Sequence, residues 1–349
     1  MTMRQQGVAI LTALILVAIA AIVATAILWQ STLAWRRGTA VYTVAESLAL
    51  AQLAEAGAGG ILRDNRSKHP QFVAPNQDWA KPYGPFEIDG GPEKAVLEAT
   101  IEDQAGKFNL NSVVMAIAAG GPQPPAPPQT PAKPQFQSVN VTPTVPGAIG
   151  GPLIKNQIAV DQFKALLAEL NIDTSYAERL VDWIDTDDQP TYPGGAEDSY
   201  YMAQQPPHRV PNMPLTSISE LLAMGMDRAS YDKLAPFVTA LPPNTKLNIC
   251  TAPGEVLDAV SGERNFSLDP KGFVEQRQQF NCYPDRNGYL AGVTANWKNY
   301  VPTQIDTRSS WFRLRAWITI GTTRFTLYSL VNQDQSGQIR PFLRTFGTE

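Results

Sequence analysis

Two cysteines and two histidines in 349 residues exclude several kinds of site at once. Cys250, Cys282, His69 and His208 cannot build a four-cysteine or three-histidine zinc centre, and their spacings match no mixed zinc finger. Cysteine-held iron–sulfur clusters and C-x-x-C-H haem attachment fall with them. A Ser-His-Asp machine would depend on a proline-flanked histidine, since the two stand in His69-Pro70 and Pro207-His208. Charge is scarce as well: 17% of residues carry it, against roughly 25% in ordinary soluble domains. The formal net charge of −4 offers no basic footprint, so nucleic acid is not an expected partner. Any metal here would be a hard cation held by oxygen. The chain does not read as an enzyme.

A long apolar run stands at the start. Val8 to Trp29 (VAILTALILVAIAAIVATAILW) is interrupted only by threonines. As a helix it is long enough to cross a hydrocarbon core of ~30 Å. Three readings fit it: a signal peptide cut after Ala24-Thr25-Ala26, a plain single-span anchor, or a pilin-like leader ending at Gly7 and cut before Val8. Positive charge does not orient the span, because Arg4 stands before it and Arg36-Arg37 after it. From Thr39 to Arg63 nothing breaks a helix before the Gly57–Gly60 cluster, and Val41, Val44, Leu48 and Ala51 form one apolar stripe. A membrane helix running into an amphipathic one makes a single rod, which favours the pilin-like reading. The glycine cluster follows a helical pattern and has the wrong spacing for a dinucleotide loop, so it reads as a helix end or a close-packing site.

Further on, Pro75–Gly91 reads as a loop with a short edge strand, and Val96–Ile101 as a strand. After it a turn leads into a helix capped by Asn111 or Ser112. Gly120–Pro152 holds ten prolines and five glycines and reads as a linker. Two helical hairpins follow, LLAELNIDTSYAERLVDWI and ELLAMGMDRASYDKLAPFV, of helix-hairpin-helix or SAM-like shape. Their turns carry acidic residues and few lysines, which argues against phosphate binding there. The end returns to β structure: Trp311–Ile320, Arg324–Val331 and Gln338–Phe346 alternate as a three-stranded meander, which the early strand could join.

The most distinctive segment is DWIDTDDQPTYPGGAEDSYY, Asp182 to Tyr201. Asp185, Asp187, Asp188, Glu197 and Asp198 converge from one Pro- and Gly-framed loop and repel unless a cation neutralises them. Asp-x-Asp with a later Glu suits Ca²⁺, which takes six to eight oxygen ligands; Mg²⁺ demands stricter geometry. It is not an EF-hand, because the sixth and twelfth positions counted from Asp185 are Pro190 and Ala196. The plain alternative is a solvated acidic turn. Asp187 and Glu197 are the strongest expected ligands and Asp188 the weakest.

RQQG before VAILTALILVAIA, then DQAGKFNLN, DWIDTDDQP with GGAEDSYY, ISELLAMGMDRASYDKLAPFVTALP and LNICTA occur in an order that resembles the type II secretion system protein K family of minor pseudopilins. The resemblance covers most of the chain, least of all the proline-rich stretch. It implies an α+β fold, with a pilin-like long N-terminal helix packed on an antiparallel sheet and a large all-helical insertion. The expected parts are a prepilin leader at 1–7, the membrane-spanning part of the helix at 8–29, a first part of the head at 30–119, the linker at 120–152, the helical insertion at 153–245 and the rest of the head at 246–349. It further implies cleavage after Gly7 by prepilin peptidase, methylation of Val8, Ca²⁺ in the acidic loop, an inner-membrane location with a large periplasmic domain, and the H-, I- and J-type minor pseudopilins as partners at the pseudopilus tip. Most pilins carry glutamate at the fifth mature position; Thr12 stands there, as the family's lack of that residue implies. A periplasmic head favours a Cys250–Cys282 disulfide over two separate buried thiols. A membrane-anchored helix-hairpin-helix protein binding DNA in a competence system is the alternative; a glycosidase using two carboxylates of the acidic loop comes third.

Overall fold

The computed structural model describes residues 3–89, 94–116 and 153–347. Helix α1 (Met3–Lys68) is followed by β1 (Tyr83–Ile88) and β2 (Ala95–Asp103). The chain then leaves through the short strands β3 (Phe108–Asn109), β4 (Val114–Ala116) and β5 (Leu153–Lys155) into α2 (Gln157–Glu169), α3 (Tyr176–Ile184), α4 (Asp198–Tyr201), α5 (Glu220–Ala223) and α6 (Arg228–Leu234). Past β6 (Val238–Thr239) and β7 (Leu247–Asn248) come α7 (Gly254–Ser261), α8 (Pro270–Gln279), α9 (Arg286–Ala291) and α10 (Val301–Gln304). Strand β8 (Ile305–Asp306) leads back to β9 (Trp311–Ile320), β10 (Thr323–Gln333) and β11 (Ile339–Phe346).

The sheet runs β1-β2-β9-β10-β11, with each neighbouring pair antiparallel. Along β9 the inward set Phe312, Leu314, Ala316, Ile318 and Ile320 is buried while the residues between them are half-buried, the period-two pattern of a strand with one covered face. The cover is the second half of α1. Leu50, Ala51, Ala54, Ala58 and Leu62 share one core with those β9 residues and with Leu97, Ile101, Leu327 and Val331. Spacings of three and four put these side chains on a single helix face. Glu55 fastens the helix to the far edge: its carboxylate takes a hydrogen bond from the Ser329 hydroxyl and two from the Arg344 guanidinium, at 2.6 Å from Nη2 and 2.8 Å from Nε. The helix does not stop at Gly57–Gly60 but continues to Lys68. The glycines of that cluster are not required by close packing either: a Cβ at Gly59 would sit in ordinary contact with Ile339 at 3.8 Å, and Gly57 and Gly60 face open space, while Ala58 between them is buried against the sheet.

The other core is helical. Phe108, Phe163, Leu166, Leu180, Val181, Ile184, Leu221, Val256, Leu257 and Val301 belong to one buried cluster reaching Ile305, and Phe108 stacks on Phe163 with ring centroids 5.6 Å apart. The helical block expected at 153–245 therefore runs on through α10, and the stretch from α7 to α10 packs with it rather than with the sheet. Asp269 and Asp285 start α8 and α9 by accepting from the amides of Gly272 and Gly288 at 3.0 and 3.1 Å, ordinary N-caps that continue the helical run. The helix expected after Asn111 or Ser112 is instead a single 3-10 turn, Leu110–Val113, capped by Asn109. The proline-rich linker 120–152 lies outside the described residues; the strands flanking it, β4 and β5, pair antiparallel.

Sheet and helical block meet at a buried polar knot. Asp103, the last residue of β2, accepts from Asn248 Nδ2 at 3.0 Å, Ser309 Oγ at 2.5 Å, Thr251 Oγ1 at 2.6 Å and the Ala105 amide at 2.9 Å. Full satisfaction is what a buried carboxylate needs. Nearby, Cys250 and Cys282 form a disulfide with Cα atoms 4.7 Å apart, closing the α7–α8 segment against the helical core.

Candidate metal centre

The acidic loop joins α3 to α4. Leu180, Val181 and Ile184 sink one side of α3 into the helical core, so the chain emerges at Asp185, the C-cap, whose residue is only 4% exposed. The return is fixed by glycine. A Cβ on Gly195 would collide with Asp182 Oδ2 and lie 2.5 Å from the Thr191 amide nitrogen and carbonyl oxygen, so only glycine fits. Asp182 is fully buried and accepts from the Thr191 amide at 3.0 Å, pinning the loop to α3. Underneath, Trp183 meets Tyr201 of α4 edge to face at 5.3 Å, and its indole donates to Glu220 at 3.1 Å. The two ends of the loop thus rest on one aromatic base.

This framing brings three of the five acidic residues together. Asp185, Asp187 and Glu197 each offer a carboxylate oxygen within 4.8 Å of the others. Asp185 and Glu197 are each 4% exposed, yet Asp185 Oδ1 and both Glu197 oxygens have no hydrogen-bond partner. Asp187 is exposed and accepts from the Gln189 amide at 2.8 Å. Asp198 turns the other way: it accepts from the Val210 amide at 3.0 Å and lies 3.7 Å from Arg209. Asp188 is exposed and outside the three-residue set, although its charge reaches Glu197. Asp182 is the residue that the acidic spacing did not single out; it adds charge behind the cluster.

The electrostatics follow from that crowding. Burial pushes the Asp185 carboxyl up to about 7, with the charges of Asp187 and Asp182 adding to it. Burial likewise pushes Glu197 up to about 8, with Asp182, Asp185, Asp188 and Asp187 contributing in that order. Buried polar atoms without partners are costly, and here they are carboxylate oxygens aimed at one point. The donor set fits a hard divalent cation and holds neither sulfur nor imidazole.

The hairpin turns have a different character. Asp173 accepts from the Ser175 amide at 2.9 Å, and Asp227 caps α6 by accepting from the Ser230 amide at 2.9 Å. A nucleic-acid phosphate would need those amides and would meet a carboxylate instead. Gly7 and Val8, the expected processing residues, lie in the first turns of α1. An 18-residue window of that helix is apolar enough to cross a membrane, and none of it is buried within the chain.

A long apolar-tipped helix laid across an antiparallel sheet defines a pilin-like protein, here with a helical block set into its head. The family described as "Type II secretion system (T2SS), protein K" matches residues 106–243. Over 98% of its length the chain is 29% identical to type II secretion system protein K of Pseudomonas aeruginosa, covering 93% of that protein. It is 30% identical to the Klebsiella pneumoniae protein of the same name over 72% of this chain and 68% of that one. A chain in the crystal structure of the GspK-GspI-GspJ complex from the enterotoxigenic Escherichia coli type 2 secretion system superposes with a TM-score of 0.66 at 25% identity, covering 90% of this chain and 100% of that chain. The chain belongs to the type II secretion system protein K family, and its role is that of a minor pseudopilin.

Proposed function

We propose that this minor pseudopilin is held in the inner membrane by the apolar half of α1 and stands at the tip of the periplasmic pseudopilus, where I-, J- and H-type pseudopilins assemble with it. The observation that carries this reading is the match, over the full length of the solved chain, to a protein crystallised with its GspI and GspJ partners. The part played is structural, without catalysis. Prepilin peptidase cuts after Gly7, and Val8 becomes the methylated first residue. Calcium is held by Asp185, Asp187 and Glu197, where the unpartnered buried oxygens of Asp185 and Glu197 suit it; bound there, it supplies countercharge and ties the start of the loop to its end. A DNA-binding role for the hairpins is disfavoured by the carboxylates already seated on their amides. The test is co-purification of the full chain with the I- and J-type pseudopilins of the same system, together with loss of export when the gene is deleted. Failure to form that complex, with export intact, would remove the tip assignment.

A further inference from the structure

Between residues 5 and 45 the only charged side chains are Arg36 and Arg37, adjacent and both basic. Neither enters an ion pair among the described residues, and both are exposed. Trp29 and Trp35 stand beside them, each 73% exposed. At about 100° per residue, Trp29, Leu33, Arg36 and Arg37 fall on one side of α1. No acidic side chain occurs on the helix before Glu46, so this band carries an uncompensated double positive charge.

Its height on the helix tells what it meets. With Val8 at the inner edge of the hydrocarbon, Trp29 lies about 32 Å along the axis, at the outer edge. Arg36 lies about 42 Å along, or about 40 Å deep at the ~20° tilt usual for such helices, a few Å beyond far headgroups that span about 30–37 Å from the same origin, a gap its long side chain reaches back across. Indole rings favour the boundary between tails and headgroups, and guanidinium groups pair bidentately with phosphate. We propose that Trp29, Trp35, Arg36 and Arg37 form a collar that binds anionic phospholipid headgroups on the head side of the membrane, an inference that rests on the reading of residues 8–29 as membrane-spanning. The collar fixes the height at which α1 stops sinking. It also gives the span an attachment that survives removal of Arg4 with the leader.

The experiment places the full chain in phosphatidylcholine vesicles carrying trace spin-labelled phosphatidylglycerol or spin-labelled phosphatidylcholine and measures the motionally restricted lipid fraction by electron spin resonance. The collar predicts phosphatidylglycerol selectivity of roughly fivefold, the scale of one surface basic residue. Selectivity should fall to unity in Arg36→Gln/Arg37→Gln and in 1 M salt, where the Debye length is about 3 Å, and should persist in Arg36→Lys/Arg37→Lys. Equal restriction of both lipids by the unaltered chain, or undiminished selectivity in the glutamine variant, overturns the collar while leaving the span in place. Absence of any restricted lipid overturns the span itself, and the collar with it.

Discussion

Replacing Glu197 by glutamine separates a calcium site from an acidic turn, because the two readings give opposite signs. In the calcium-free protein the Glu197 carboxyl is pushed from its ordinary value of 4.5 up to about 8 by burial and by four neighbouring aspartates. A folded-state pKa above the unfolded one means that the folded state binds more protons between those values. Stability is therefore fullest below the unfolded pKa and declines as pH rises towards the folded one. Linkage puts the ceiling of that decline near 4 kcal/mol at pH 8, and solvent screening at a site shared with exposed Asp187 brings it to about 1–2 kcal/mol. Glu197→Gln keeps the shape and removes the charge. In EGTA at pH 8 it should melt several degrees higher than the unaltered chain, at about 2–4 °C per kcal/mol for a domain of this size. With calcium the order reverses. The unaltered chain gains about 2.7 kcal/mol at a hundredfold excess over Kd, whereas the variant gains little. The assay is scanning calorimetry of the full chain in mild detergent at pH 5, 6.5 and 8, with calcium or with EGTA. A calcium-free melting temperature that stays flat from pH 5 to pH 8, or an undiminished calcium gain in Glu197→Gln, would refute the reasoning.

Gly7→Val should block leader removal while leaving membrane insertion intact; mass spectrometry of the unaltered chain should find methylated Val8 first, and Ile27 there would establish signal-peptide cleavage instead. Cys282→Ser should cost about 3–4 kcal/mol by opening a closed loop of 32 residues' separation, with hydrogen exchange rising first in α8; protection unchanged throughout α8 would contradict this. Gly195→Ala should weaken calcium binding by calorimetry at least tenfold, since its methyl would displace Asp182 or Thr191 from the loop's frame; unaltered affinity would show that the frame does not set the site.

The sheet was largely legible because each strand carries its own signal: alternation in Trp311–Ile320 names both its strand and its buried face. The rod of α1 was legible for a similar reason, except at Gly57–Gly60, where local propensity says stop and the continuous contact of Ala51, Ala54, Ala58 and Leu62 with the sheet overrides it. The true reach of the helical block was less visible. Helices α8 and α9 each bury a single residue, Phe273 and Tyr289, and their announcement is a single Asp before each, at 269 and 285. For the metal centre, composition gave the loop but not the inside of it. Asp187 and Asp188 are neighbours, and Glu197 and Asp198 are neighbours; only the backbone path decides that one of each pair turns in. The glycine frame is visible in the sequence, but the roles of Asp182 and Gly195 are mutual, each explained by where the other sits.

The β2–β9 register has a consequence for how such a head is assembled. Asp103 is opposite Phe312, and the Gln104 amide donates to the Trp311 carbonyl at 3.0 Å, so the two strands are already paired at the point where the helical block departs and returns. Everything from Ala105 to Ser310 enters and leaves through one doorway one ladder rung wide. Excised and replaced by a tight turn, that block would leave β2 and β9 as an ordinary hairpin, with α1 still lying across it. The helical mass is thus a module hung from a conventional pilin frame, free to grow or change shape without disturbing the strand pairing that anchors it.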